Sequence, residues 1–383
     1  MSAIRMGLVG LGNIGAYHAE YLSKGQVARA ELAAVCDGVP QRLEDWSQLA
    51  TFADSDALFS SGLIDAVIIA TPSFTHHDLA VAALEQGLHV LVEKPMALQI
   101  AECERMLAAA SSAQRLLAVM HNNRALETYA KVRSLLQGGE LGMLQRLMWV
   151  VTDWFRPQAY YASGGWRATW RGEGGGVLMN QAIHQVDLLQ WIAGLPCRVS
   201  AHCGIGRHHS IQVEDEVTAY FEYPNGATGL FVASTGESPG VNRLEIVGSR
   251  ATLTLEGGQI SLLRNETDAC EYSRTTDDVF GRPNVWRIQV PASDQGTGHV
   301  AITHNLVDAI LDDAPLLSPG TSASGAIHLA NAMLYSHFQG RPIDLPLDGA
   351  AYERHLAHLI ATSDDPRVVQ ERSPQNIRQS FVA

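Results

Sequence analysis

Apolar residues follow two rhythms along this 383-residue chain, and the change falls near residue 123. In the first stretch, short apolar runs alternate with longer segments of helical period. The runs at 4–9, 31–35, 65–70, 88–92 and 116–120 read as buried strands. Helical patterns over 16–22, about 75–86 and about 98–111 lie between them. Such alternation predicts a parallel sheet with helices on both faces. In the second stretch, a linking helix at 125–137 stops at Gly138-Gly139 and a long strand follows at 144–154. Later segments alternate with period two. In 215–223, Val217, Ala219, Phe221 and Tyr223 share one face, and Pro224-Asn225-Gly226 is a hairpin turn. With 227–234, 243–247, 251–255 and 259–263 these predict an antiparallel sheet with one open face. Helices are expected at 299–311, 323–338 and 350–361, and the polar tail after Asp364 is expected to wrap the surface. The expected fold is α/β: an N-terminal dinucleotide-binding domain at 1–123 and a C-terminal α+β domain at 124–383 with an open-faced, mainly antiparallel sheet.

Composition narrows the partners. A net charge of −13 argues against nucleic acid or an anionic membrane surface. No apolar run approaches the ~18 residues of a membrane span. The five cysteines are odd in number and lack CxxC spacing, so free thiols in a reducing cytoplasm are expected. The chain enters a strand at once, so no signal peptide is expected. His76-His77 has no third and fourth ligand at suitable spacing, so no metal is expected.

The chemistry begins at Gly10-Leu11-Gly12-Asn13-Ile14-Gly15, between a strand and a helix. Its glycines permit a tight turn, approach of a pyrophosphate, and close packing of helix on strand. Asp37 lies 22 residues after Gly15, the spacing at which a carboxylate meets the adenosine ribose. It would repel a 2′-phosphate, which favours NAD over NADP. Arg42 would stack on adenine and soften that preference, or be a solvated charge. Thr71-Pro72, Glu93-Lys94 and Asn122 close other strand ends on the same edge, and His76 opens the helix after Thr71-Pro72. Lys94 is either a loop charge paired with Glu93 or a donor to a substrate oxygen beside the nicotinamide.

The second cluster starts at Gly174-Gly175-Gly176, with a helix expected from Asn180 to Trp191 and a stop at Gly194-Leu195-Pro196. Asn180, His184 and Asp187 would then share one face of a mostly buried helix. His184 is a satisfied core histidine or a general base aimed into a cleft. The preceding loop carries Trp154, Phe155, Arg156, Tyr160, Tyr161, Trp166, Arg167, Trp170 and Arg171. It reads as a sugar or polyol platform or as a hydrophobic loop anchor.

Together, Gly10–Gly15, Thr71-Pro72, Glu93-Lys94-Pro95, Gly174–Gly176 with His184 and Asp187, and Leu345-Pro346-Leu347 resemble the Gfo/Idh/MocA oxidoreductases over nearly the whole chain. The resemblance implies a Rossmann domain, an open-sheet second domain and assembly into homodimers or homotetramers through that sheet. It places Lys94 beside the reacting hydroxyl, with a cis bond to Pro95, and makes His184 the acid/base. Asn180 stands where the inositol dehydrogenases of the family carry an aspartate, which points toward pyranosides or sugar nucleotides. The expected activity is NAD-dependent hydride transfer on a secondary alcohol of a sugar or polyol. Asn180 would position a hydroxyl and Asp187 would polarise the network. Cofactor contacts are expected from Gly10, Gly12, Asn13, Ile14, Gly15, Asp37, Arg42, Thr71, Pro72, His76, Glu93, Lys94 and Asn122. Substrate contacts are expected from Lys94, Tyr161, Trp166, Arg167, Asn180 and His184. Redox-neutral NAD-dependent cleavage of a glycosidic bond, or nucleotide sensing without catalysis, remain alternatives.

Overall fold

In a computed structural model, residues 3–294 and 298–369 are described. The first unit begins β1 (Ile4–Val9), α1 (Asn13–Ser23), β2 (Ala30–Cys36), β3 (Ala50–Phe52) and α2 (Ser55–Phe59). It continues β4 (Ala66–Ile69), α3 (His76–Glu85), β5 (His89–Val92), α4 (Ile100–Ala113) and β6 (Leu117–Val119). All adjacent strands are parallel, in the order β3-β2-β1-β4-β5-β6. This is the doubly wound order in which ligands bind outside the strand carboxyl ends. The short β3 and α2 were not expected. Three residues are too few to show a period.

The second unit runs α5 (Glu127–Gln137), β7 (Leu144–Val151), α6 (Gln158–Tyr161), α7 (Trp170–Glu173), α8 (Ile183–Ala193) and β8 (Arg198–Ile205). Next come β9 (Glu214–Glu222), β10 (Thr228–Ser234), β11 (Asn242–Gly248), β12 (Ala251–Glu256), β13 (Gln259–Asn265), α9 (Ala269–Thr275) and β14 (Val285–Val290). The described chain closes with α10 (Gly298–Asp312), α11 (Gly320–Gln339), β15 (Ile343–Asp344) and α12 (Gly349–Thr362). The sheet order is β14-β13-β12-β11-β7-β10-β9-β8-β15. Every neighbouring pair is antiparallel except β7 and β10, which run parallel from Thr228↔Arg146 to Ala233↔Val151. One face is buried through Trp149, Ala219, Phe221, Phe231, Leu244 and Leu253. The other leaves Tyr220, Leu230 and Leu263 exposed. This is the open face predicted from the alternation.

The helix α10 does not stay with the half of the chain it belongs to. Its Ile302, Leu306 and Val307 pack with Met6, Leu8, Leu22 and Ile68 in the first unit's core. The Tyr21 hydroxyl on α1 meets Thr303 Oγ1 at 2.7 Å, and Arg29 pairs with Asp308 and Asp312. The faces of the first sheet are therefore covered by α1 and α10 on one side and by α3 and α4 on the other.

Candidate active site

The glycine loop is shaped for a phosphate group. Gly10 has φ +93°, and a methyl group there would lie 2.6 Å from the Ala70 carbonyl oxygen. One at Gly15 would lie 1.8 Å from Gly10 O, so α1 could not seat against β1. At Gly12 it would meet nothing within 4 Å, which leaves the approach open. Asn13 and Ile14 begin α1, whose N-cap Gly12 offers no side-chain acceptor and whose first turn has no acidic residue. Its free N–H groups favour an anion. Asp37 accepts from Leu11 N–H at 2.7 Å and Val39 N–H at 2.8 Å, and Arg42 Nη1 lies 3.3 Å from it. Asp37 thus fixes the loop as well as the end of β2. These residues fit a dinucleotide.

Two expected cofactor contacts are placed differently. His76 is buried, with Nδ1 2.8 Å from Pro95 O and Nε2 3.0 Å from Thr71 O, and its neutral ring donates to one of these carbonyls. It braces two strand-end loops and offers no open face, because both ring nitrogens face carbonyls. The Thr71 hydroxyl meets Thr75 Oγ1 at 2.7 Å beside Pro72. Glu93 is also buried, bonded to His18 Nε2 at 2.7 Å and to the Lys94 backbone N–H at 3.1 Å. Burial alone would raise its pKa. The His18 hydrogen bond and charge, with His299 and Lys94, outweigh burial and hold it at about 2. Glu93 is therefore a fixed negative charge beneath Lys94. The Lys94–Pro95 bond is cis.

The Lys94 ammonium donates to Asn180 O at 3.2 Å, joining the two units. Burial lowers its pKa; Glu93 and Glu173 oppose that, and Arg167 and Arg156 add to it. The peptide it meets belongs to a turn that precedes α8. The expected helix from Asn180 starts three residues later, at Ile183. The cause is Glu214, whose Oε1 accepts from Gly176 N–H at 2.8 Å and Leu178 N–H at 3.0 Å, while its carbonyl accepts from Val177 N–H at 2.9 Å. A side chain on Gly176 would collide with that carbonyl. Burial pushes the Glu214 carboxyl up to about 7, against the Gly176 and Leu178 hydrogen bonds.

Asn180 therefore lies off the helix. Its amide donates to Glu173 Oε1 at 2.5 Å and to the Tyr160 hydroxyl at 3.3 Å. Glu173 is buried, also accepts from Ala168 N–H, and has its pKa raised by burial. His184 lies in the first turn of α8 and is partly exposed. Its Nδ1 has no hydrogen-bond partner among the described residues, which a satisfied core histidine would have. Burial, then Lys94, His121 and His299, push its pKa well below the usual imidazole value.

Asp187 departs from expectation. It is buried and holds Arg124 through Nε at 2.8 Å and Nη2 at 2.6 Å. Arg124 also donates to Ser322 Oγ at 2.7 Å and to Leu317 O. This pair locks α8 to the end of the first sheet and to α11. Its carboxylate stands 3.5 Å from His121 Nε2, a buried ring whose nitrogens lack hydrogen-bond partners among the described residues. Burial lowers the His121 pKa to about 4, although Asp187 opposes that. Asn122 Oδ1, next in the chain, is also buried without a hydrogen-bond partner among the described residues.

Tyr161 is not on the substrate side either. It is buried with its hydroxyl on Thr235 Oγ1 at 2.7 Å. Its neighbour Tyr160 is the one that faces the site, accepting from Asn180, Gln181 and Arg167. Arg167 lies over both Tyr160 and Trp166. From the tail, buried Arg367 donates to the carbonyls of Tyr161, Gly164, Gly165 and Arg167 and so fixes this loop. Sequence reasoning missed Arg124, Glu173 and Glu214 as site supports. Glu173 had a signal, standing directly before Gly174.

Residues 4–121 match the oxidoreductase family with an NAD-binding Rossmann fold, and residues 129–254 match the GFO/IDH/MocA C-terminal domain. The chain belongs to the Gfo/Idh/MocA oxidoreductase family. Family members similar to it include an uncharacterised oxidoreductase, YdgJ, of Escherichia coli, 32% identical over 228 residues that span 58% of this chain and 62% of that protein. The scyllo-inositol 2-dehydrogenase (NAD(+)) of Bacillus subtilis is 27% identical over 68% of this chain and 77% of its own. Among solved structures, the WlbA dehydrogenase of Chromobacterium violaceum, in complex with NADH and UDP-GlcNAcA, superposes with a TM-score of 0.79 at 30% identity. That match covers 91% of this chain and 97% of WlbA.

Two outcomes test the supports. Asp187→Ala strands a buried guanidinium and should cost about 3–5 kcal/mol in urea unfolding. A loss under 1 kcal/mol would contradict a buried, dependent pair. For Glu214, the folded pKa lies above that of the free carboxyl, 4.5 against about 7. The folded state therefore binds the proton more tightly, and this group's contribution to stability falls as pH rises through that window. Glu214→Gln should flatten the decline of Tm across it. An unchanged slope would remove Glu214 as its source.

Proposed function

We propose that this protein is an NAD-dependent dehydrogenase of a secondary alcohol on a sugar, sugar derivative or polyol. The observation that carries the reading is an ammonium, Lys94, seated on Asn180 O and close enough to His184 to lower its pKa, with the His184 Nδ1 unpartnered among the described residues. The named activities of the inositol dehydrogenase and WlbA relatives support it.

The domain at 1–123 would hold the nucleotide through Gly10, Gly12, Asn13, Ile14 and Gly15, with Asp37 facing the ribose and favouring NAD over NADP. Thr71, Pro72 and Asn122 would border the nicotinamide end, and Arg42 the adenine end. Bound NAD supplies the hydride acceptor. His184, kept neutral by its low pKa, takes the hydroxyl proton. Lys94 binds the same oxygen and stabilises the developing alkoxide. Asn180 places this oxygen with its backbone and side chain, while Trp166 and Arg167 border the sugar from the second domain at 124–383. The five free thiols fit a reducing compartment such as the cytoplasm.

His184→Ala and Lys94→Ala should each lower turnover by about a hundredfold or more, while NADH still binds. Near wild-type turnover in either would refute its assigned role. In the wild type, kcat/KM for oxidation should hold its plateau below pH 6.5, because the imidazole stays neutral there. It should begin to fall below pH 10.5 on the basic side, as Lys94 loses its proton early. An acidic limb at or above pH 6.5 would contradict the assignment of His184.

The same reading extends to assembly. Tyr220 and Leu230 stand opposite each other on the open sheet face, with Leu263 on the same face. A second copy would cover them, giving a homodimer or homotetramer. Light scattering should show an even-numbered assembly that Tyr220→Glu with Leu230→Glu dissociates. A wild-type monomer would overturn it.

A further inference from the structure

The walls of the site carry more positive charge than a neutral sugar requires. Arg156 lies over Trp154, 5.3 Å from the ring centre, and over Tyr160 at 5.4 Å. Arg167 lies over Tyr160 at 5.1 Å and Trp166 at 4.7 Å. The Tyr160 hydroxyl accepts from Asn180, whose carbonyl holds Lys94. One aromatic ring thus connects both guanidinium groups to the reacting end. Both arginines are partly exposed, and among the described residues neither has a carboxylate within ion-pair distance.

Stacking on a ring uses the face of a guanidinium and leaves its N–H edge free. Each group has five N–H donors. Arg156 uses Nη1 on Phe155 O, and Arg167 uses Nη1 on the Tyr160 hydroxyl. The remaining edges are preset forks of the kind that grips a carboxylate or phosphate through two parallel hydrogen bonds. Two carboxyls, Glu173 and Asp153, feel Arg167 and Arg156 electrostatically without an ion-pair contact to either. Glu173 is engaged by Ala168 and Asn180, and burial pushes both it and Asp153 toward the neutral form. In a chain with net charge −13, two unpaired arginines beside Lys94 are a local reversal of sign.

We propose that this site selects a sugar bearing an anionic group, with Arg156 and Arg167 holding the anion while Lys94 and His184 address a ring hydroxyl. The inference rests on the dehydrogenase reading and adds the charge class of the substrate. The shared chemistry is a flat or tetrahedral oxyanion. A sugar acid and a sugar phosphate are its two sources.

The test titrates glucose, glucuronate and glucose 6-phosphate into the NADH-loaded full-length protein, followed by calorimetry. At least one anion should bind tenfold or more tighter than glucose, and that advantage should shrink as salt is raised. Which anion it is identifies the source. Arg156→Gln with Arg167→Gln should abolish the difference, with NADH titration reporting that the variant is folded. Glucose binding as tightly as both anions, an advantage that survives the double substitution, or no binding by either anion would each overturn the proposal. Turnover is measured separately on the same panel. Hydride transfer from glucose to NAD with no preference for either anion would overturn the anion selectivity and leave the dehydrogenase reading standing. Tight anion binding without reduction of NAD by any sugar would do the reverse.

Discussion

The turn from Gly174 to Ala182 is held from three directions, and the rest of the site depends on it. Glu214, at the start of β9, grips its N–H groups. Glu173 holds the Asn180 side chain, and Lys94 reaches across from the first unit to the Asn180 carbonyl. The turn can accept all three because Gly174 has φ +67° and Gly176 has no side chain to meet the Glu214 backbone. Were the turn to continue as helix, Asn180 would rotate with α8 and Lys94 would lose its seat. The geometry at His184 follows from where α8 is allowed to begin.

Three buried carboxyls meet different fates, set by their donors. Glu93 faces His18 and the Lys94 backbone, and its pKa falls to about 2. Glu214 receives two backbone N–H groups on one oxygen, while its Oε2 has no hydrogen-bond partner among the described residues. Burial therefore prevails, and its pKa rises to about 7. Glu173, also buried, is raised as well. Glu93 is thus the carboxyl of the three whose charge is held most firmly, and it lies against Lys94, while Arg156 and Arg167 stand on the loop. Lys94, Arg156 and Arg167 stand on one connected network through Asn180 and Tyr160.

What could be read from sequence was what is local. The glycine spacing, the strand ends and the aromatic loop are each written within a few residues, and the parallel sheet with helices on both faces follows from alternation. Pairing across the chain was not legible. Arg124 meets Asp187 across 63 residues, so a carboxylate at helical spacing from His184 looked catalytic when it is a joint. Glu214 lies 38 residues from Gly176, and nothing in the intervening pattern places the two together. Period-two reading also failed where burial is weak. β14 is largely exposed and β8 is rich in small and polar residues, so neither strand shows a clean alternation. The parallel β7–β10 pair escaped a hairpin reading because β8 and β9 intervene in sequence. Choosing between Tyr160 and Tyr161 required knowing that Thr235 meets the hydroxyl of the second.

The central claim is that Lys94 and His184 converge on one substrate oxygen. A crystal structure of the protein with NADH and a sugar in its alcohol form, a pair that cannot react because the cofactor is already reduced, would test it most directly. The account predicts one hydroxyl within hydrogen-bond distance of both Lys94 Nζ and the His184 ring, on the carbon facing the nicotinamide. A sugar seated with that carbon away from either group would contradict it.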